Sequence, residues 1–153
     1  MSKGSTVLWV VAAHSFFSVA LDWELYFLQR ERPYQRHSHI GLYRRGAVRA
    51  VGREELAVDV EVDTRSPKLV SGRSVEERHI RRIEGAVEDA WERYGWDIGS
   101  GYRFFLVDRF LETNFICVGE PDQPRYLELE EWLPRIPHRT ERLAVELSGR
   151  RWA

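Results

Sequence analysis

Residues 29–53 carry seven arginines, Arg30, Arg32, Arg36, Arg44, Arg45, Arg49 and Arg53, against one acid, Glu31, a local net charge of +6. A guanidinium is a planar, permanently charged fork that grips phosphate or carboxylate through paired N–H groups and stacks on aromatic rings. Tyr26, Phe27, Tyr34 and Tyr43 are interleaved with the arginines. Arginine for phosphate plus an aromatic face for a base is the minimum equipment for holding single-stranded nucleic acid or an extruded base. From this set Arg36, Arg44, Arg45, Arg49 and Arg53 are the expected phosphate contacts, with Tyr43 or Trp23 as the stacking face. Residues 104–131 show the opposite bias, seven acids against two arginines, net -5. That asymmetry steers an anion toward one face, although a fold also scatters charge in this way without function. Arginine makes up 21 of the 23 basic residues, which a GC-rich or thermophilic genome alone would also produce.

Other constellations carry less. His37-x-His39 supplies two of the ligands a metal needs, but His79, His138 and Cys117 lie in unrelated contexts, so no metal and no cofactor is expected. Val58-Asp59-Val60-Glu61-Val62-Asp63 places carboxylates at period two on one strand face. With Asp108, Asp59 and Glu61 form the alternative reading, a nuclease whose carboxylates hold a divalent ion. The lysine that usually accompanies such acids is missing from the strand, and alternating acid and valine is also the pattern of a sheet with one wet face. Gly41-Leu42-Tyr43 before Ala50-Val51-Gly52 superficially resembles the GIY-YIG nuclease signature, but Ala50 stands where an aromatic hydroxyl is required. G-x-S-x-G, Walker A, GxGxxG and H-E-x-x-H are absent from the sequence. A binding protein is therefore expected ahead of an enzyme.

At 153 residues, 43% hydrophobic, the chain is long enough for a substantial core and reads as one domain, 1–153. The single Cys117 allows no disulfide within the chain, which favours a reducing, cytoplasmic setting. Val7–Ala13 reads as a buried strand rather than a secretory segment, and no stretch approaches the roughly 20 apolar residues of a membrane span. A short helix is expected within His14–Gln29, passing into a strand at Leu25–Leu28. Strands follow near Ile40–Tyr43, Val48–Val51 and Leu56–Val62, with Arg44-Arg45-Gly46 turning the first two into a hairpin. Ser74 and Glu77 form an S-x-x-E capping box for a helix over Val75–Tyr94, which Gly95 ends. Its apolar stripe, Ile80, Ile83, Val87, Ala90, Trp91 and Tyr94, reads as core, as do Phe104, Phe105 and Phe110. Tyr102–Val107, Phe115–Val118 and Leu143–Leu147 complete the expected strands. The fold class is α+β: a curled mixed sheet or partial β-barrel with two or three flanking helices.

The hairpin adds a resemblance. Ile40-Gly41-Leu42-Tyr43 followed by Ala50-Val51-Gly52-Arg53-Glu54, with Gly101–Asp108 as a further strand, resembles PUA-like domains of the EVE and ASCH type. The resemblance implies a PUA-like fold and a non-catalytic module that reads RNA or a modified DNA base in an aromatic-lined pocket. The remaining alternative is a regulatory module whose arginine face docks an acidic partner protein. No membrane partner is expected.

Overall fold

The computed structural model describes residues 6–63, 66–69, 75–118 and 125–152. Its architecture is α+β, with nine strands and three α-helices among the described residues. Within the span read as one domain, the chain groups into two compact units. The first draws on the segments Met1–Phe17, Gln35–Glu54 and Val107–Ala153, the second on Ser18–Tyr34 and Glu55–Leu106.

In the first unit β1 (Val7–Ala12) pairs in parallel with β3 (His39–Arg44), and β3 pairs antiparallel with the opening half of β4 (Ala47–Asp63). β7 (Leu111–Cys117) lies on the other side of β4, and β9 (Arg151–Trp152) extends it in parallel. β8 (Arg125–Glu128) closes the far side by pairing antiparallel with β1. The sheet is thus mixed and open, not closed into a barrel. One side of it packs on α3 (Thr140–Leu147): Leu8, Val10, Val51 and Phe115 bury against Leu143 and Leu147 of the helix.

Sequence patterning places a strand at Leu143–Leu147, and this is corrected. Leu143, Ala144 and Leu147 recur at the i, i+1, i+4 spacing of one helical face, and burying each leucine contributes roughly 1.5–3 kcal/mol to that choice. The terminal strand falls later, at β9, where the Trp152 indole N–H donates to the Phe115 carbonyl at 3.1 Å.

The hairpin at Arg44–Gly46 forms as its residues dictate. Arg45 and Gly46 are the two loop residues, with φ of 53° and 84°, the positive values that a two-residue hairpin loop demands. A left-handed arginine carries strain of roughly 1–2 kcal/mol. Arg49 offsets it: its guanidinium donates to the Arg44 carbonyl at 2.8 Å, the Arg45 carbonyl at 2.6 Å and Asn114 Oδ1 at 2.8 Å.

The two strands expected over Val48–Val51 and Leu56–Val62 are one continuous strand, β4. Gly52 reads as punctuation in the sequence, but its role is proximity. A Cβ there would stand 2.7 Å from the Arg109 carbonyl oxygen and 2.8 Å from the Val107 Cβ.

In the second unit α1 (Phe17–Trp23) enters β2 (Leu25–Gln29), which pairs antiparallel with β6 (Ser100–Val107). β6 neighbours β4, whose later half pairs with β5 (Ser66–Leu69). Phe104 and Phe105 are fully buried, as expected of them. α2 runs over Glu77–Tyr94 and ends at Gly95 with φ 72°, as its sequence requires. Its capping box differs from expectation: Glu76 and His79 form it, while Ser74 lies outside the described residues. His79, Ile83, Ala86 and Ala90 make the buried stripe. Trp91, expected in the core, stands 61% exposed because the buried face is rotated toward the small residues Ala86 and Ala90.

Gly52→Ala forces a methyl group against backbone that cannot swing aside. It is expected to lower stability by roughly 1–3 kcal/mol in urea denaturation without changing the slope of the transition.

Candidate anion-binding surface

Asp108 follows directly on β6 and binds three segments of the first unit. Its Oδ1 accepts the Arg53 N–H at 2.9 Å and the Arg109 N–H at 2.8 Å, and its Oδ2 accepts the Thr140 hydroxyl at 2.5 Å. The Asp108 N–H donates in return to the Arg53 carbonyl at 2.8 Å. Burial alone pushes this carboxyl up, but the hydroxyl and the two backbone donors outweigh it and hold it below the ordinary 3.8. The clamp therefore joins β4, the β6–β7 connection and the start of α3.

Three arginines lie on the segments that the clamp joins: Arg53, Arg109 and, next to Thr140, Arg139. Arg53 is exposed, and its Nη1 stands 3.4 Å from the His138 carbonyl. Arg109 pairs with Glu141, and Arg139, 85% exposed, approaches the same carboxylate at 3.6 Å. Exposed ion pairs of this kind hold side chains weakly, and each guanidinium has five N–H donors. Arg109 and Arg139 share Glu141 while Arg53 meets only a backbone carbonyl, so the guanidiniums keep spare donors facing water. Such a set can take the oxygens of a phosphate.

Two histidines flank this locus under opposite conditions. His39, 8% exposed, stands at register with Arg53, and its Nδ1 lies 2.8 Å from Ser38 Oγ. Burial pushes it down to about 4, with the Arg53 charge adding to the effect and the Asp108 carboxylate opposing it. His37 lies against Trp9, ring centroids 4.8 Å apart, and contacts Glu54 through Nε2 at 2.5 Å and the Gln35 carbonyl through Nδ1 at 2.8 Å. Burial lowers its affinity for a proton, but these two oxygen partners raise it above the ordinary 6.5. Arg53 and Glu54 are consecutive on β4 and so point to opposite faces, which gives the two histidines different nearest partners. They do not share a metal site, and among the described residues no group of three or more His, Cys, Asp or Glu side chains is placed to hold a metal.

The arginines singled out in the sequence are dispersed. Arg44 and Arg45 stand at the loop end of the hairpin, Arg44 over the Phe17 ring at 5.2 Å, whereas Arg53 pairs with His39 at the far end. Six residues of strand, roughly 20 Å, separate Ala47 from Arg53. Arg49 is engaged in holding the turn, Arg36 is exposed on the segment leading to β3, and Tyr43 is half-buried against the core. Trp23 belongs to the second unit, where its indole N–H donates to Asp89 at 3.0 Å. There it lines an open groove of about 300 Å³ with Asp22, Glu88, Asp89, Glu92 and Arg93, a field that repels phosphate.

Of the nuclease carboxylates, Asp59 forms a two-point ion pair with Arg103, Nε–Oδ1 2.5 Å and Nη2–Oδ2 3.2 Å. Asp108 is the clamp, and the side chain of Glu61 lies outside the described residues. Arg109 and Arg139 were not visible as site residues in the sequence. The signal for Arg139 was Thr140-Glu141 ahead of Leu143, Ala144 and Leu147, the opening of a helix rather than of a strand. Neither protein-family models nor curated proteins nor solved structures give a match to this chain.

The two histidines fix a pH dependence. His39 binds its proton more weakly folded than unfolded, so its contribution to stability is complete above 6.5 and is lost as pH falls toward 4, on the order of 3 kcal/mol. His37 binds its proton more tightly folded, so its contribution is complete below 6.5 and is lost as pH rises through its folded value. Stability measured by urea denaturation across pH is expected to peak near 6.5. His39→Gln is expected to flatten the acid side, and His37→Gln the alkaline side.

Proposed function

We propose that this chain is a non-catalytic, PUA-like nucleic-acid-binding module that holds the sugar–phosphate backbone through Arg53, Arg109 and Arg139, with Arg36 as a further contact. The observation that carries the reading is that the Asp108 clamp ties together the backbones of Arg53 and Arg109 and the Thr140 hydroxyl next to Arg139, with all three arginines exposed. Bound backbone N–H groups and a shared carboxylate fix where these side chains start, while their guanidiniums keep donors for a ligand. Phosphate is the fitting partner because its oxygens accept from the planar fork in pairs and outcompete a solvated carboxylate partner such as Glu141. A mixed sheet with flanking helices and the Tyr43 and Val51-Gly52 hairpin support the PUA-like assignment. The lone Cys117 is consistent with a cytoplasmic setting.

The surface is built for backbone more than for bases. Tyr43 is half-buried against the core, and Trp23 sits among carboxylates in the second unit. Weak sequence preference and electrostatic affinity follow from such a site, with dissociation constants on the order of 10⁻⁴–10⁻⁶ M at physiological salt.

Filter binding to single- and double-stranded DNA and RNA across a salt series tests this. Log affinity should fall linearly with log salt, and Arg53→Gln or Arg139→Gln should each reduce the slope by about 0.7–0.9. Arg49→Gln should leave the slope unchanged while lowering stability by about 1–3 kcal/mol, because its guanidinium holds the turn. Binding that is absent at low salt, or a slope indifferent to Arg53 and Arg139, overturns the proposal.

A further inference from the structure

The segment Gln35–Ser38 leads into β3 as a strap held at both ends. The Gln35 N–H donates to the Tyr126 hydroxyl at 2.9 Å. The Ser38 N–H donates to the Val7 carbonyl at 3.0 Å, and the Val7 N–H donates to Ser38 Oγ at 3.1 Å. Between these anchors lies the His37 ring, its side chain 1% exposed, against Trp9, which in turn stacks on Tyr126 at 5.8 Å.

The partners of that ring are both oxygens: the Gln35 carbonyl at Nδ1 and the Glu54 carboxylate at Nε2. A neutral imidazole has one N–H, so two oxygen acceptors require a proton at each nitrogen contact. Loss of one proton sets a nitrogen lone pair against an oxygen lone pair at hydrogen-bond distance, in a place closed to water. The repulsion is relieved by separating the two partners, and the bond that holds the outer end of the strap, Gln35 N–H to Tyr126, is exposed to solvent.

We propose that His37 and Glu54 form a proton-operated latch, in which the proton between them holds the strap Gln35–Ser38 against β1 and β4, and its loss frees the strap. The acidic group in contact with the ring is Glu54. Trp9 on β1 does not ionise, and the Tyr126 phenol on β8 ionises at about 10 in ordinary settings. His39 in β3 stays neutral above about 4. Arg36 is the cation on the strap, and Arg53 precedes Glu54 on β4. The strap carries exposed Arg36, so the latch also gates that contact; the gating rests on the nucleic-acid reading, the latch does not.

Nuclear magnetic resonance of the full chain, from about pH 5 to about pH 9, decides both. The His37 ring nitrogens should both be protonated at the acid end and titrate above 6.5. The Gln35 and Ser38 amide signals should move with the same midpoint, the open strap gaining about tenfold in population per pH unit beyond it. In Glu54→Gln the new amide donates to a neutral imidazole whose Nδ1–H still reaches Gln35, so the strap should stay closed and its signals should cease to follow pH. Strap signals that are flat in the unmodified chain, or that follow pH equally in Glu54→Gln, overturn the latch. Filter binding to single-stranded DNA on either side of the midpoint reads the gating separately. Affinity that falls in the unmodified chain but not in Glu54→Gln supports it, and affinity unchanged in both while the strap signals move overturns the gating alone.

Discussion

Three distant segments of the first unit hang on one carboxylate. Asp108 accepts from the backbone of Arg53, the backbone of Arg109 and the hydroxyl of Thr140, and each comes from a different part of the chain. Short charge-assisted bonds of this type are about twice as strong as neutral ones. They are also directional, so they set the exit angles of β4, of the turn after β6 and of α3 together. Gly52 belongs to the same constraint: the Arg109 carbonyl can approach β4 only because no side chain intervenes. The aspartate that sequence patterning offers as a metal ligand is engaged as a junction between these segments.

The neighbourhood shows how one strand supports two incompatible chemical settings. Across β4, Arg53 and Glu54 look to opposite sides, and the histidines that meet them take opposite protonation preferences. His39 is kept neutral by burial beside a cation, and His37 is kept charged by a carboxylate and a carbonyl. His-x-His in the sequence suggests a matched pair on one face. The match fails because His37 precedes β3 and does not obey the strand's alternation.

Sequence reading recovered the elements whose signals are local. β1, the α1–β2 passage, the Arg45–Gly46 turn, α2 with its Gly95 stop and β6 all follow from periodicity and turn chemistry. It failed where long-range contact decides. Leu143–Leu147 is short and apolar, compatible with strand or helix until the sheet beneath it selects the helical face. Gly52 looks like a chain break until the Arg109 carbonyl is seen above it. Arg49 looks like Arg44 and Arg45 in the sequence, and only the hairpin's own carbonyls reveal that it is a brace. Charge density identified a basic segment but could not say which guanidiniums the fold would employ internally.

The connectivity of the first unit has a consequence for its biosynthesis. Its opening strand β1 meets β8 only after residue 128 exists, and the Thr6 carbonyl receives the Leu129 N–H across more than a hundred residues. α3, which covers that sheet, ends at Leu147, a few residues short of the last. Loops of that length close slowly, and a ribosome adds about 5–20 residues per second. For several seconds the nascent chain therefore holds Val7–Ala12, a β-branched apolar run, with β3 available but without β8 and α3. An apolar run left partly unpaired in this way favours aggregation, and Asp22 and Glu24 are the first charged residues after it to oppose that.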